Sequence, residues 1–232
     1  MLTLHNVTFR FSPTAVDFFH QVNLTIDRPG ITFVTGKNGV GKTTLFNILL
    51  SQLAPHAAIS GTITTATASY HLNKPQERER FAQQIALVHQ HVTQMLADEF
   101  TGLRNLQFSS LRKKPGLQPL PDVTPLIAIA QRFGIPLNRA VHNLSGGQRQ
   151  LLAIIMALHH QVDLLLLDEP TAALDDVNSD LVLSLVAELA HERKIPVLCI
   201  SHEPALVKKF SNGLTIVIEQ QEQGRIIREV RT

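Results

Sequence analysis

A glycine-rich loop between an apolar run and an apolar-periodic segment constrains this chain more than any other feature. Residues 31–35 before the loop form a short β-type run that predicts a buried strand, and residues 44–53 after it have the apolar spacing of a helix. The loop itself matches the pattern GxxxxGK[ST]. A strand, a glycine loop and a helix in this order predict a phosphate-binding loop in an α/β domain. Its residues are Gly36, Lys37, Asn38, Gly39, Val40, Gly41, Lys42 and Thr43, with Thr44 directly after them.

The residue types of this loop suit a triphosphate. Glycines let the backbone wrap closely and aim its N–H groups at phosphate oxygens. The helix that follows adds the positive end of its dipole. Lys42 can reach the β- and γ-phosphates, and the Thr43 hydroxyl can ligate Mg²⁺. The loop therefore predicts a nucleoside triphosphate site, without indicating what the energy is used for.

A pair of acids far downstream provides the expected second half of that site. The apolar run 164–167 ends at Asp168 and Glu169, which places both carboxylates at a strand end, where open α/β sheets bind their ligands. We expect Asp168 to hold Mg²⁺ through water and Glu169 to polarise the attacking water as a general base.

Strand-like and helix-like patterns alternate along most of the chain. Strands are predicted at 2–11, 22–26, within 59–72, at 85–88 and at 195–200, with a hairpin at 214–219 and 225–230. Helices are predicted from Gly146 to about 159 and from about 177 to 193, and residues 95–143 read as mixed helices. This alternation predicts an α/β core with a largely parallel sheet. On the last helix the predicted core stripe is Val177, Leu181, Leu185 and Leu189.

Composition excludes several classes of protein. Charged residues make up 17% of the 232 residues, against the roughly 25% of an average soluble domain. The net charge of +2 gives no reason to expect nucleic acid, and the single cysteine, Cys199, excludes an internal disulfide. The longest apolar run, 151–158, is far shorter than the roughly 18 residues of a membrane span, and we expect it in the core. The first residues lack the pattern of a signal peptide. A cytosolic globular chain with few charges is the expectation.

A second loop of small residues opens the helix at Gly146. Such a loop at a helix N-terminus is a second anion-binding device, which suggests that two copies share each nucleotide. Here the sequence resembles the ATP-binding cassette (ABC) family. Leu144, Ser145, Gly146, Gly147 and Gln148 resemble the LSGGQ signature of that family, and they precede the Asp168–Glu169 pair as in its members.

The remaining motifs of that family follow in its order. Gln90 resembles the glutamine that senses Mg²⁺ and the attacking water, and Asp175 lies in a segment that resembles the D-loop. His202 resembles the switch histidine, which contacts the γ-phosphate. Phe11 lies where the family often has a tyrosine that stacks on adenine. Leu151 and Met156 depart from the pattern, because they occupy positions at which the family commonly has arginine.

The resemblance implies a fold and its cofactors. The fold is a P-loop NTPase core with a mostly parallel sheet, an antiparallel β subdomain and an inserted helical subdomain. Residues 1–232 are then a single ABC ATPase domain, with the RecA-like core and β part at about 1–94 and 144–232 and the helical subdomain at about 95–143. The implied cofactors are ATP and Mg²⁺.

The resemblance also implies a working assembly. Two chains, as a homodimer or a cassette heterodimer, lie head to tail with each nucleotide between residues 36–44 of one and 145–148 of the other. The dimer powers separate integral membrane permease subunits, which residues 94–105 are expected to contact. Resemblance to subunits that accompany periplasmic solute-binding proteins favours small-solute import. The expected location is cytoplasmic, peripheral on the cytoplasmic face of the inner (plasma) membrane.

Two alternative functions stay open at this point. One is a soluble ABC ATPase that acts on nucleic acid or ribosomes, whose relatives usually carry two cassettes or a long coiled-coil insertion. Neither feature is present in the sequence, and no nucleic-acid partner is expected. The other is a P-loop kinase or GTPase, which leaves the LSGGQ-like residues 144–148 unexplained and lacks an NKxD-type guanine motif.

Overall fold

A computed structural model describes residues 1–109, 122–159, 162–221 and 224–231. The strands and helices follow the predicted alternation. The strands are β1 (Leu2–Arg10), β2 (Phe19–Ile26), β3 (Gly30–Thr35), β4 (Ala58–Thr64), β5 (Ser69–His71), β6 (Ile85–Val88), β7 (Leu164–Asp168), β8 (Pro196–Ile200), β9 (Ser211–Gln221) and β10 (Gly224–Arg231). The helices are α1 (Lys42–Leu49), α2 (Pro75–Ala82), α3 (Gly102–Ser109), α4 (Thr124–Arg132), α5 (Gly146–Ala157), α6 (Asp176–Arg193) and α7 (Pro204–Phe210).

All of these strands join one sheet in the order β5-β4-β1-β2-β10-β9-β3-β8-β7-β6. The half formed by β9, β3, β8, β7 and β6 is parallel, and the half formed by β5, β4, β1 and β2 is antiparallel. The predicted hairpin pairs β9 with β10, and β10 meets β2 at Arg225 and Phe19. The expected α/β fold, with a mostly parallel core and an antiparallel β part, is confirmed.

The central strands are buried on both faces, which explains their near-continuous apolar sequence. On β7, Leu164 and Leu166 pack into a core with α1 and the antiparallel strands, while Leu165 and Leu167 pack into a second core with α5 and α6. The apolar run 151–158 belongs largely to this second core, as expected, and Leu151 in its unusual position is fully buried there.

Two helices of the predicted helical segment pack on the second core. Helices α3 and α4 contact α5, and Leu106 and Leu126 are buried in the contact. Residues 110–121 of this segment and residues 222–223 of the predicted hairpin lie outside the described residues. The division of the chain at about 94/95 and 143/144 stays a prediction. No helix in the described ranges is long and apolar enough to cross a bilayer.

Helix α1 ends earlier than predicted. It starts at Lys42, because Gly41 has a φ of 118° that turns the chain directly from the loop into the helix. It ends at Leu49, and Ser51 is left-handed with a φ of 57°. Helices α2 and α7 were not predicted, although each begins with a proline in the first turn, a usual start signal.

The predicted core stripe of α6 is wrong in its first half. Leu185 and Leu189 are buried, but Val177 is 78% exposed and Leu181 is also exposed. The actual buried face adds Val182 and Val186 instead. A spacing of four residues turns about 40° further round a helix at each step, so the four positions cannot share one face.

Because Leu185 is buried and Val177 is exposed, substitutions at these two positions of α6 should differ in their effect on stability. Leu185→Ala leaves a cavity between α6 and the sheet and should lower the free energy of unfolding by about 2–5 kcal/mol. Val177→Ala removes an exposed side chain and should change it by less than about 0.5 kcal/mol. Denaturant titration of both variants measures the difference, and equal losses would contradict the burial of Leu185.

Candidate active site

The phosphate-binding loop holds three glycines in conformations that other residues rarely adopt. The φ angles of Gly36, Gly39 and Gly41 are 144°, 75° and 118°. A Cβ on Gly36 would lie 2.4 Å from the carbonyl oxygen of Ile218, and one on Gly41 would lie 2.7 Å from the Phe18 ring. The loop is thus packed against its surroundings on two sides and needs glycine for its geometry.

The Lys42 side chain folds back over the loop that precedes it. Its ammonium group donates to the carbonyl oxygens of Gly36 at 2.9 Å and Lys37 at 3.1 Å. Burial lowers the pKa of Lys42, while the nearby Glu169 and Asp168 act in the opposite direction. The cation is thus held in a fixed position at the mouth of the loop.

A cavity of about 290 Å³ lies beside this ammonium group. It joins the loop to the end of β7 and β8, and the Thr43 side chain is exposed in this region. Its lining residues are Asn38, Gly39, Gly41, Lys42, Thr43, Thr44, Glu169 and Ile200.

Asp168 is the last residue of β7 and faces a balance of opposing effects. Burial and the neighbouring Glu169 carboxylate raise its pKa, whereas His89 and Lys42 act to lower it. The carboxyl is therefore a stronger base than a solvated aspartate. It lies close enough to the loop for its charge to be felt by Lys42.

Three of the predicted catalytic residues meet at Glu169. Its φ is 49°, a left-handed conformation that turns the chain out of β7, and its N–H donates to the carbonyl oxygen of Ile200 at 3.1 Å. The Gln90 side chain donates to Oε2 at 3.4 Å, and Nε2 of His202 lies 3.2 Å from Oε1. A carboxylate held between an amide and an imidazole, next to a phosphate-binding loop, can accept a proton from a water molecule there.

The predicted metal ligands supply oxygen donors of the kind that Mg²⁺ prefers. Thr43 offers a hydroxyl, Asp168 a carboxylate and Gln90 an amide oxygen. Within the described ranges no group of three or more His, Cys, Asp and Glu side chains is arranged to hold a metal ion. Mg²⁺ itself is usually bound by one or two protein groups together with substrate phosphates and water.

Phe11 presents an aromatic surface near the loop. Its side chain is 52% exposed, and its ring packs edge-on against Phe9 and Phe18 with centroids 5.1 and 4.8 Å apart. Phe18 in turn lies against Gly41. The ring can therefore offer one face to a planar ligand next to the phosphate-binding loop.

The LSGGQ-like residues form a second group at the start of α5. Gln148 N–H donates to the Ser145 hydroxyl at 3.2 Å, and Ser145 N–H donates to the Gln148 side chain at 3.1 Å, which completes a capping box. A Cβ on Gly147 would lie 2.5 Å from the Asn178 side chain, while Leu144 is buried. The structure thus places residues 144–148 against the beginning of α6. There Asp175 caps α6 by accepting from the N–H of Asn178 at 2.8 Å.

Asn105, in α3, is a buried residue that the sequence patterns did not predict. Its side-chain oxygen accepts from Ala97 N–H at 2.8 Å, and its amide donates to the carbonyl oxygens of Ala97 and Thr101 at 3.1 and 3.0 Å. It thereby fixes the segment 97–101, which follows Gln90 along the chain. No local pattern distinguishes this asparagine from a surface one.

Comparison with known proteins matches this architecture to one family. The sequence model of the family described as ABC transporter matches residues 19–172. The phosphonates import ATP-binding protein PhnC 1 of Ruegeria sp. (strain TM1040) is 29% identical over 98% of this chain and 88% of that protein. The methionine import ATP-binding protein MetN 1 of Enterococcus faecalis is 30% identical over 94% of this chain, which spans 60% of that protein.

A solved structure gives the same fold. The structure of cbiO1 from Clostridium perfringens, described as part of the ABC transporter complex cbiONQ, superposes with a TM-score of 0.80. The superposition covers 99% of this chain and 88% of that one at 24% sequence identity.

Because Lys42 lies beside the loop, we predict that replacing this lysine weakens nucleotide binding. Lys42→Ala deletes the buried cation beside the loop and should weaken the binding of MgATP at least about tenfold, as expected for a charged hydrogen bond of 1.5–3 kcal/mol. Calorimetric titration measures the affinity. Lys74→Ala, which removes an exposed lysine directly before α2, is the matched control, and equal affinities for the two variants would contradict the role of Lys42.

Proposed function

We propose that this chain, which belongs to the ABC transporter family, hydrolyses ATP to power small-solute import through a separate membrane permease. The observation that carries the proposal is the meeting of Gln90 and His202 on Glu169 beside the phosphate-binding loop. Relatives that cover most of this chain are named import ATP-binding proteins, which supports import.

In this proposal each residue of the site has a separate task. The loop amides and Lys42 bind the phosphates, and Phe11 stacks on the base. Glu169 takes a proton from a water molecule whose oxygen then bonds to the γ-phosphorus, while the bond to the β–γ bridging oxygen breaks. Gln90 and His202 orient the Glu169 carboxylate towards that water.

Mg²⁺ would be held by Thr43 and by Asp168 through water, with Gln90 close by. Bound there, the ion neutralises charge on the phosphate oxygens. Burial makes the ionised carboxylate of Asp168 costly and raises its pKa. A cation bound beside this carboxylate would offset that cost.

The second half of the site comes from a second cassette in this proposal. Residues 144–148 lie against the start of α6, which Asp175 caps, and the Gln148 side chain also donates to the carbonyl oxygen of Gly134 at 3.2 Å. The N-terminus of α5 offers the positive end of its helix dipole to an anion. A head-to-tail dimer sets this end against the γ-phosphate held by residues 36–44 of the other chain.

The permease contact is assigned to residues 94–105. Phe100 lies in this segment, and it packs edge-on against Phe108 with centroids 5.2 Å apart although both rings are exposed. An exposed aromatic pair, with one ring just before α3 and the other on it, is typical of a protein interface. With a permease as partner, the chain is located at the cytoplasmic face of the membrane. A role on nucleic acid or ribosomes is not favoured, because the relatives are named for import.

If Glu169 is the base, a substitution there should abolish ATP hydrolysis without weakening ATP binding. Glu169→Gln keeps the size of the side chain but replaces the basic carboxylate with a neutral amide that cannot accept the proton, so kcat should fall about 10²–10⁴-fold. The affinity for ATP should be retained, and the closed dimer should accumulate in size-exclusion chromatography with MgATP. Glu192→Gln, on the exposed side of α6, is the control. Full turnover by Glu169→Gln would remove Glu169 from the role of base.

The transport role is tested by partner capture. The chain co-expressed with the permease encoded nearest to it should co-purify with that polytopic protein, and Phe100→Ser should lower the yield of the complex. Val230→Ser, which also replaces an exposed apolar residue, should leave the yield unchanged. Stimulation of ATP hydrolysis by DNA or RNA, without capture of a permease, would favour the nucleic-acid alternative.

A further inference from the structure

A hollow of about 350 Å³ lies between the connection that links β1 to β2 and the C-terminal hairpin. Phe11 and Phe18 form its aromatic side, and the ends of β9 and β10 form the opposite side. The side chains that determine its chemistry are Phe11, Asp17, Phe18, Gln220, Gln221 and Arg225.

Arg225 is the cation of this hollow, and it is held in place by an aromatic ring. Its guanidinium carbon lies 3.7 Å from the centroid of the Phe18 ring, a cation–π contact that fixes the plane of the group. The backbone of Arg225 is in register with Phe19 of β2, so the hairpin is tied to the strand beside the aromatic cluster.

The hydrogen-bonding capacity of Arg225 is not used up within the described chain. Its Nε atom is buried and has no hydrogen-bond partner there. The carboxylate of Asp17, which lines the same hollow, is already bound to Arg10 and His20. A buried N–H without a partner is costly. The same side chain borders the hollow, where a ligand can bring acceptors to the guanidinium group.

The hollow is continuous with the phosphate-binding loop. The Phe18 ring lies directly against Gly41, and Gln220 and Gln221 line both this hollow and the neighbouring cavity over residues 36–40. A nucleotide with its phosphates on the loop can therefore place its base at Phe11.

We propose that Arg225 contacts the base of the bound nucleotide and helps to determine which base is accepted. This inference rests on the proposed function. A guanidinium only donates hydrogen bonds, so it selects bases with acceptors on the exposed edge. Purine N7 is such an acceptor, and guanine adds O6 beside N7, which suits two parallel N–H groups. Arg225 therefore strengthens the binding of ATP and strengthens that of GTP more.

The test compares three ligands on a background that cannot turn over. In Glu169→Gln protein, Arg225→Ala should weaken MgATP binding about tenfold and MgGTP binding by a larger factor, since one hydrogen bond is lost with adenine and two with guanine. The affinity for magnesium tripolyphosphate, which has no base, should stay unchanged. Calorimetric titration measures all three affinities.

Two further variants separate base contact from damage to the hairpin. Arg228→Ala removes the next arginine on β10, which pairs with Glu219 on the surface, and should change none of the three affinities. Arg225→Lys keeps the charge but lacks the planar pair of donors, so it should retain the melting temperature and lose the GTP effect.

Several results would overturn the inference. They are unchanged ATP affinity in Arg225→Ala, an equal loss for tripolyphosphate, or full recovery of GTP binding in Arg225→Lys. Failure of the Glu169→Gln protein itself to bind MgATP would instead contradict the proposed function, so the two failures are distinguishable.

Discussion

Parallel hydrogen bonding among β3, β8, β7 and β6 is the constraint on which the rest of the structure depends. Val34 and Asp168 both pair with Ile200, and Val88 pairs with Leu167, so the four strands end at the same edge of the sheet. The phosphate-binding loop, His202, Glu169 and Gln90 follow these ends directly. If this register slipped by one residue, each side chain of the strand, carboxylate or apolar, would move to the other face of the sheet. The meeting of the site residues is thus a consequence of backbone pairing.

The same sheet explains why so few residues are charged. Strands that are covered on both faces, and the helices that cover them, require apolar side chains, which lowers the charged fraction to 17%. Charges are then concentrated where the strands end. There Lys42 is stabilised by Asp168 and Glu169, although burial lowers its pKa. Two of its three protons are donated to loop carbonyls, so one remains for a phosphate oxygen.

Local patterns in the sequence predicted the loop, the strands and the Asp168–Glu169 pair, because each depends on neighbouring residues. The α/β core with a largely parallel sheet was confirmed as well, since it follows from the alternation of these strands with helices. The core stripe of α6 was wrong, because spacing alone cannot tell which turn of a helix faces the sheet. The contact of Arg225 with Phe18 could not be predicted at all, since it joins opposite ends of the chain. Asn105 was missed because only burial distinguishes it from a surface asparagine.

The N-terminus of α5, for which we propose an anion-binding role, is held by contacts within the chain. Ser145 and Gln148 cap α5 within one chain, and the close approach of Gly147 to Asn178 fixes this end against α6. Backbone hydrogen bonds also join Phe100 to Val141 and Gly102 to Arg139, directly before the capped end. These bonds connect the exposed segment around Phe100 to the residues directly before 144–148. If a permease contacts that segment, as proposed, the bonds provide a direct structural link between the contact and the start of α5.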